Sequence, residues 1–216
     1  MEYAAAKIAE SLLEIKAVKL QPQNPFTWAS GWRSPVYCDN RVTLSFPEVR
    51  NLIRDTLVQA VQIHFPETEG IAGVATAGIP QGALLADALQ LPFIYVRSKA
   101  KSHGMTNQIE GQLEAGKKYL VLEDLVSPGG SSLKAVEAIR AVGGEVNGLL
   151  SVFTYNFPVA HHAFRDANVG HRALVDLELL LGKAVENDYI SPFELETISQ
   201  WRQDPQAWTD AFKSES

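Results

Sequence analysis

Two adjacent acids, Glu123 and Asp124, follow an apolar run at residues 119–122 and stand two residues before the loop SPGGSS. Unpaired carboxylates are costly to bury, so we expect both at the mouth of a sheet, where they can accept hydrogen bonds from a polyol or approach a metal-bound ligand. The loop offers two glycines, the hydroxyls of Ser127, Ser131 and Ser132, and then a helix N-terminus, a combination that suits phosphate. The segment therefore predicts binding of a polyol together with a phosphate.

The loop differs from two common phosphate-binding motifs. It lacks the Gly-Lys-Ser/Thr ending of a Walker A loop and the G-x-G-x-x-G of dinucleotide-binding proteins. An ordinary strand-loop-helix turn with surface acids is the alternative interpretation, and it would explain most isolated GGS tripeptides. The two acids immediately upstream favour a functional site.

A second candidate is the basic segment RSKAKSHGMTNQIEG at residues 97–111. Arg97, Lys99, Lys101 and His103 fall within seven positions of a chain whose net charge is −6. Charge runs are usually solvated faces, and a bare loop is the alternative here. In an acidic protein, however, a basic loop that could fold over a sheet edge is suited to clamp a diphosphate and to exclude water as a lid.

The elements that must position these residues alternate between strands and helices. Ile8, Leu12 and Ile15 recur at helical spacing, which predicts a helix from residue 2 to about 18, and a second helix begins near residue 47. After residue 66, the apolar runs GIAGVA, PFIYVR, YLVLED and VNGLLSVFTY are separated by helix-like segments. This alternation predicts a mainly parallel α/β sheet flanked by helices, with ligands beyond the carboxyl ends of its strands. The segment ISQWRQDPQAWTDAF near the C-terminus predicts one more helix, packed through Trp201 and Trp208.

The composition narrows the class of protein. The net charge of −6 argues against a general nucleic-acid binder, and no apolar run reaches the ~18 residues of a membrane span. We expect a cytoplasmic protein, because the first residues lack the pattern of a signal peptide. Cys38 is the single cysteine, and we interpret it as a packed thiol. No Cys/His spacing resembles a zinc site. His161 and His162 lack a metal-binding pattern and are interpreted as surface residues.

With these residues in view, the segment at 119–132 resembles the phosphoribosyl-diphosphate signature of type I phosphoribosyltransferases. That signature is an apolar strand, two acids, two apolar residues and a Ser/Thr- and Gly-containing phosphate loop. The resemblance implies that Glu123 and Asp124 bind the ribose hydroxyls and that residues 127–131 bind the 5′-phosphate. Pro128 stands where the family usually has Ala or Thr.

The basic segment is similar to the catalytic lid of orotate phosphoribosyltransferases, Arg-Lys-x-x-Lys-x-His-Gly, which Arg97, Lys101, His103 and Gly104 match. That lid reaches the active site of the neighbouring subunit, so the resemblance implies a homodimer with shared active sites. The segment at 26–41 resembles the family's base-binding region, and VATAGIP at 74–80 resembles its diphosphate loop. Together the matches run from residue 26 to about 155.

The resemblance implies a single phosphoribosyltransferase domain over 1–216, with a hood formed by about 1–45 and the C-terminal helix. The implied catalytic residues are Lys101, Arg97, His103 and Asp124. The implied ligands of phosphoribosyl diphosphate are the lid, the acids and the loop: Arg97, Lys101, His103, Glu123, Asp124, Leu125, Val126, Ser127, Pro128, Gly129, Gly130 and Ser131. The implied ligands of orotate are Ser127, Ser30, Gly31 and Arg41. Ala29 and Ala77 stand where many members have Lys, so the candidates for the orotate carboxylate are Arg33, Arg41 and the amides around Ser30 and Gly31, with Arg41 favoured.

The implied function is transfer of the phosphoribosyl group to orotate, giving orotidine 5′-monophosphate and diphosphate in pyrimidine synthesis. Mg²⁺ is the implied cofactor, held mainly through substrate and water without direct protein ligands. Two alternatives stay open. The chain could act on another base, which the region around residues 30–41 would decide, or it could be a non-catalytic sensor of phosphoribosyl diphosphate, against which the lid argues.

Overall fold

The computed structural model describes residues 1–28, 30–98 and 108–214, with side chains described as far as residue 211. Within these residues, six strands form one sheet in the spatial order β10-β9-β8-β5-β6-β7. Five strands run parallel: β5 (Gly70–Val74), β6 (Phe93–Val96), β8 (Lys118–Val126), β9 (Glu145–Thr154) and β10 (His171–Asp176). The two-residue strand β7 (Ile109–Glu110) is antiparallel to β6 at the edge. The predicted α/β fold is confirmed.

Helices cover both faces of this sheet. They are α1 (Glu2–Glu14), α2 (Pro47–His64), α3 (Gly78–Leu89), α4 (Gly130–Ala141), α5 (Pro158–Asp166), α6 (Leu177–Glu186), α7 (Pro192–Gln203) and α8 (Pro205–Ser214). Along β8 the side chains alternate between two cores, because successive residues of a strand point to opposite faces. Leu120 and Leu122 pack with the apolar residues of α1 and α2, whereas Tyr119 and Val121 pack with those of α4 and α5.

Four short strands precede α2. β1 (Val18–Leu20) pairs with β4 (Val36–Cys38), and β2 (Phe26–Thr27) pairs with β3 (Arg33–Ser34), both antiparallel. A 3₁₀ helix, Asn40–Ser45, then leads into α2. The hairpin formed by β2 and β3 contacts the C-terminal helix α8 through hydrogen bonds described below.

Three boundaries differ from the predictions. Helix α1 ends at Glu14, and Lys16 adopts a positive φ of 58° where the chain turns into β1. The C-terminal segment forms two helices, because Pro205 begins α8 and proline cannot continue α7. Strand β8 extends through both acids to Val126, since its pairing with β9 continues as far as Val126 and Thr154.

Candidate active site

The register of the sheet brings the candidate residues to one edge. Strand β5 ends at Val74, whose partner on β6 is Val96, so Arg97 lies immediately beyond the end of β6. On its other side, β5 pairs with β8 as far as Leu122, the residue before Glu123. Because parallel strands end at the same edge, the acids of β8, the loop after β5 and the start of the basic segment are neighbours there.

The two acids are buried rather than lying at an open mouth, which corrects the expected position. The exposed fraction is 7% for Glu123 and 9% for Asp124. Burial and the nearby Asp124 charge raise the pKa of Glu123 to about 9, and its Oε2 atom has no hydrogen-bond partner in the described part of the chain. Glu123 is therefore protonated at neutral pH in the ligand-free protein.

Asp124 is in a more polar environment than Glu123. Burial raises its pKa to about 6, but backbone hydrogen bonds and the charge of Arg41 oppose that rise. Asp124 is thus mostly ionised near pH 7. The pair then carries about one negative charge, divided unequally between the two carboxyl groups.

A series of hydrogen bonds among buried polar groups connects the end of β8 that carries the acids to the 3₁₀ helix and to α3. Asn40 Nδ2 donates to the carbonyl oxygen of Asp124 at 2.6 Å, and the Asn40 carbonyl accepts from Thr43 Oγ1 at 2.6 Å. Gln81 Nε2 of α3 donates in turn to Thr43 Oγ1 at 3.3 Å. The 3₁₀ helix, the acids of β8 and α3 are therefore linked through protein hydrogen bonds. No sequence pattern predicted these hydrogen bonds, because their partners lie in three separate segments of the protein.

The N-terminus of α3 lies directly against the acid strand. A Cβ atom on Gly78 would lie 2.6 Å from the carbonyl oxygen of Leu122 and 3.5 Å from Cα of Glu123. Only glycine allows this approach. It keeps the 74–80 loop next to the acids.

The loop after the acids has the backbone shape of an anion site. Gly129 has φ +85° and begins α4 as its N-cap, so the backbone N–H groups of the first turn point out of the helix toward this edge. A Cβ atom on Gly129 would also lie 2.7 Å from Phe164. Ser127 is partly buried, whereas Pro128, Gly130 and Ser131 are exposed. The loop is thus accessible to a ligand from outside.

The basic segment is described only at its start. Arg97 is partly exposed. Its backbone N–H donates to the carbonyl oxygen of Gln108 at 2.8 Å, and its Nη1 atom lies 3.4 Å from Glu110 Oε1. Lys101 and His103, with Lys99 and Gly104, lie outside the described residues. Their predicted roles therefore remain predictions.

A cavity of about 540 Å³ lies between the β2–β4 region and the loop that follows β8. Its walls come from the β2–β4 region, the end of β8 and the end of β9: Thr27, Trp28, Ser30, Trp32, Tyr37, Cys38, Leu125, Ser127, Pro128 and Tyr155. Flat aromatic walls with a few hydroxyls suit a planar heterocycle that needs oriented hydrogen bonds. Ser30 and Ser127 belong to this lining, whereas Gly31 and Arg41 are not among the lining residues.

Sequence reasoning missed the aromatic part of this cavity. Trp28 and Trp32 flank the turn at Gly31, where φ is +89°, and Trp28 packs 5.0 Å from the ring of Tyr155. The pattern of two tryptophans around a glycine turn was visible, but it could equally have described an ordinary hairpin. Only the fold brings Tyr155 from the end of β9 to meet it.

Two other polar groups of the lining are neutral. Burial, together with the charges of Asp124 and Asp39, raises the pKa of the Cys38 thiol well above its usual range. Burial likewise raises the pKa of the Tyr155 phenol. Cys38 is a packed thiol rather than a nucleophile, as predicted.

Two arginines lie near the cavity in different arrangements. Arg41 is exposed and binds Asp39 through two hydrogen bonds of 2.7 and 2.8 Å. Arg33 donates from Nη1 to Thr27 Oγ1 at 2.9 Å, and Thr27 is a lining residue. Arg33 is therefore in contact with the cavity wall itself.

The described residues contain no group of three or more His, Cys, Asp or Glu side chains placed to hold a metal. His161 and His162 are exposed, and His161 Nε2 lies 2.5 Å from Asn156 Oδ1. Within the same residues, every helix is too short or too polar to cross a membrane.

Comparison with known proteins agrees with this geometry. The family model "Phosphoribosyl transferase domain" matches residues 48–160. An orotate phosphoribosyltransferase of Cytophaga hutchinsonii is 54% identical over 202 residues, which cover 94% of this chain and 97% of that protein.

Two solved structures are similar in fold. The orotate phosphoribosyltransferase from Aeropyrum pernix aligns with a TM-score of 0.75 and 28% identity, covering 85% of this chain and 99% of that chain. Leishmania donovani UMP synthase aligns with a TM-score of 0.78 and 25% identity; the match covers 92% of this chain but only 42% of the synthase. The chain therefore belongs to the orotate phosphoribosyltransferase family, within the proteins that carry the phosphoribosyl transferase domain.

Proposed function

We propose that the protein transfers the phosphoribosyl group of phosphoribosyl diphosphate to orotate, giving orotidine 5′-monophosphate and diphosphate. One observation carries the proposal: the buried acids of β8 lead directly into the glycine loop of α4, beside an aromatic cavity large enough for a planar base. The relatives at 50–56% identity that are named orotate phosphoribosyltransferase support orotate as that base.

The ribosyl part of the substrate is assigned to β8 and the loop that follows. Glu123 and Asp124 bind the ribose hydroxyls: the ionised Asp124 accepts hydrogen bonds, and the protonated Glu123 can also donate one. The backbone and hydroxyls of residues 125–131 bind the 5′-phosphate at the start of α4. Together these contacts hold the anomeric carbon at the border of the aromatic cavity.

The reaction exchanges one bond at the anomeric carbon for another. The bond from that carbon to the diphosphate oxygen breaks, and its electron pair leaves with the diphosphate. A bond forms to a ring nitrogen of orotate, and the proton that this nitrogen carried passes to the departing diphosphate or to water. Positive charge grows on the sugar and negative charge on the leaving group, so catalysis is mainly electrostatic and positional. We assign leaving-group neutralisation to Arg97, Lys101 and His103, and orientation of the ribose to Asp124. The negative charge of orotate lies on its carboxylate, so the proton of the reacting nitrogen still needs an acceptor, and the diphosphate supplies one as negative charge grows on it.

The donor set near the acids fits Mg²⁺. Oxygen atoms are the preferred ligands of this ion, and the buried Glu123 Oε2 atom is without a partner in the described part of the chain. We propose that Mg²⁺ is held mainly by substrate and water, with Glu123 and Asp124 acting on it through the ribose hydroxyls. When bound, the ion supplies positive charge that offsets the charge of the diphosphate.

Orotate is assigned to the aromatic cavity. Ser30 and Ser127 offer hydroxyl donors from its lining, and the turn at Gly31 adds backbone groups beside it. For the carboxylate we propose Arg33 in addition to Arg41, because Arg33 is bonded to the lining residue Thr27. A homodimer with shared sites, the cytoplasmic location and the hood as a functional unit remain predictions.

The test measures turnover of orotate and of other pyrimidine and purine bases by the protein in the presence of phosphoribosyl diphosphate and Mg²⁺. We expect orotate to be consumed, followed by its absorbance, with diphosphate released in equal amount, and other pyrimidine and purine bases to react far more slowly. Faster turnover of another base would show that this base, and not orotate, is the preferred substrate. Tight binding of phosphoribosyl diphosphate with no turnover of any base would favour the sensor.

A further inference from the structure

The C-terminal helix α8 is bonded to the hairpin that forms one wall of the aromatic cavity. Trp32 Nε1 donates to Gln206 Oε1 at 3.0 Å, and the backbone N–H of Arg33 donates to Thr209 Oγ1 at 3.0 Å. From α7, Trp201 Nε1 donates to the carbonyl oxygen of Arg33 at 3.0 Å. These hydrogen bonds join residues 32–33 to a part of the chain about 170 positions away.

The hairpin needs this outside support. Strands β2 and β3 contain two residues each and pair only with each other in the described chain, apart from the six-stranded sheet. A two-stranded hairpin is marginally stable alone even when its strands are longer. Its position relative to the cavity must therefore come from side-chain contacts with other elements.

Trp32 has open space on two sides. Its ring lines the cavity assigned to the base, and it also borders a second cavity of about 240 Å³ formed with Phe157, Pro158, Val159 and residues 202–205. The rings of Phe157 and Trp28, each with its centroid 6.2 Å from that of Trp32, contact part of the indole, but toward the two cavities no partner atoms resist a shift. The hydrogen bond from its indole nitrogen to Gln206 opposes that shift.

Gln206 is itself oriented. Its Nε2 atom donates to both carboxylate oxygens of Asp210 at 3.0 Å, one turn further along α8. This contact fixes which end of the amide faces Trp32, since only the Oε1 end can accept from the indole N–H. The acceptor is thus a side-chain oxygen whose orientation is set by a second contact on the same helix.

We propose that Gln206 is a positioning residue for the base: by holding the Trp32 indole in the cavity wall, it sets the affinity for orotate without touching the substrate. The inference rests on the proposed function, because that function assigns orotate to this cavity. It predicts an effect confined to the base, since the acids and the phosphate loop are held by other contacts.

The first test replaces Gln206 with methionine, which has a similar size but cannot accept the indole hydrogen bond well. Gln206 is exposed, so the fold should be kept. We expect the KM for orotate to rise about fivefold, the effect of one lost neutral hydrogen bond, while the KM for phosphoribosyl diphosphate and kcat stay within about twofold. Gln200→Met is the matched control, because Gln200 is an exposed helical glutamine bonded to Glu196 on α7. It should leave all three constants unchanged.

A double-mutant comparison separates this role from a general effect of α8. Phenylalanine at position 32 keeps an aromatic ring but has no N–H, so in a Trp32→Phe background Gln206→Met should have no further effect on the KM for orotate. An equal rise in both backgrounds would overturn the inference, and so would an unchanged KM in an otherwise active Gln206→Met enzyme.

Hydrogen exchange of the hairpin amides gives a readout that does not depend on the reaction. The N–H groups of Trp28 and Gly31 are bonded within the hairpin, to the Trp32 and Trp28 carbonyls. We expect their exchange to be faster in Gln206→Met than in the Gln200→Met control. Absence of orotate turnover in the unaltered protein would end the proposed function, whereas equal exchange in the two variants would end the positioning role alone.

Discussion

At the residue scale, Glu123 should make the stability of the ligand-free protein depend on pH. Its pKa is about 9 in the folded protein, against a usual value of 4.5. Between these values the folded chain keeps a proton that the unfolded chain has lost, so unfolding releases a proton and stability falls as pH rises. The contribution of this group is at most about 1.4 kcal/mol per pH unit.

Glu123→Gln should remove this dependence, because the amide is neutral at every pH. Thermal unfolding from pH 6 to pH 8.5 should show the variant gaining stability relative to the unaltered protein as pH rises. Glu137→Gln, on the exposed side of α4, is the control and should change little. A constant difference between Glu123→Gln and the unaltered protein over this range would mean that the carboxyl group is already ionised at pH 6.

A second prediction at this scale compares the two arginines near the cavity. Arg33 is bonded to the lining residue Thr27, whereas Arg41 is held by Asp39 outside the lining. Charge-assisted hydrogen bonds contribute about 1.5–3 kcal/mol, so Arg33→Met should weaken orotate by roughly tenfold or more. Arg41→Met should act on both substrates, because its charge also lowers the pKa of Asp124.

Calorimetric titration of the two variants with orotate and with phosphoribosyl diphosphate would measure these effects. Selective loss of orotate binding in Arg41→Met, with Arg33→Met unaffected, would mean that Arg41 and not Arg33 binds the orotate carboxylate. Arg41 is the residue that the sequence alone favoured.

The acids and the glycine loop could be recognised from sequence because their residue types are adjacent in the chain. The burial of the two acids could not be predicted, because it depends on the pairing of β8 with β9 as far as Val126, and no local sequence pattern determines how far that pairing extends. The same applies to Tyr155 and Asn40, whose site contacts are made with residues distant in sequence.

At the scale of elements, the turn from β8 into α4 should tolerate substitution at one glycine and not at its neighbour. Gly129 has φ +85°, and an added Cβ would lie 2.7 Å from Phe164, whereas an added Cβ on Gly130 meets nothing within 4 Å. We expect Gly129→Ala to lower the free energy of unfolding by about 1–3 kcal/mol. Gly130→Ala should raise it by up to about 1 kcal/mol, because alanine favours the helix.

Denaturant unfolding of the ligand-free variants would measure both changes and keeps effects on phosphate binding out of the comparison. Equal stability of the two variants would mean that the loop relaxes around the new methyl group and that its left-handed residue is not needed for the fold.

The elements that sequence patterns predicted are those with long periodic runs, such as α2, β8 and β9. The strands β2, β3 and β7 contain two residues each, too few for a period to appear. β10 was missed for a different reason: its segment HRALVD begins with two polar residues and has a short apolar centre. Hence the sheet was predicted correctly in type, while its edges and the hairpin beside the site were not.

At the scale of the whole molecule, the two cores on opposite faces of the sheet fix the strand edge where the site lies. The strands contribute residues of the apolar runs to these cores, and the helices contribute apolar residues at helical spacing, which is why the α/β architecture followed from the sequence. The C-terminal helix was expected to belong to the hood, but its specific hydrogen bonds to the hairpin did not follow, because they join polar atoms of residues about 170 positions apart. Assembly of subunits lies at the same scale and is open to a direct test.

The proposed homodimer with a lid that acts on the neighbouring site predicts recovery of activity on mixing. Lys101→Ala should remove the lysine charge of the lid, and Glu123→Asn with Asp124→Asn should remove the carboxylates proposed to bind the ribose. Each variant alone should lose at least about 10²-fold in turnover. In a mixed dimer, one site combines the intact lid of one subunit with the intact acids of the other. After unfolding and refolding the variants together in equal amounts, half of the dimers are mixed, so activity should return to about a quarter of that of the unaltered protein. Each variant refolded alone is the control, and a mixture no more active than those controls would mean that the lid acts on its own subunit or that the chain does not form this dimer.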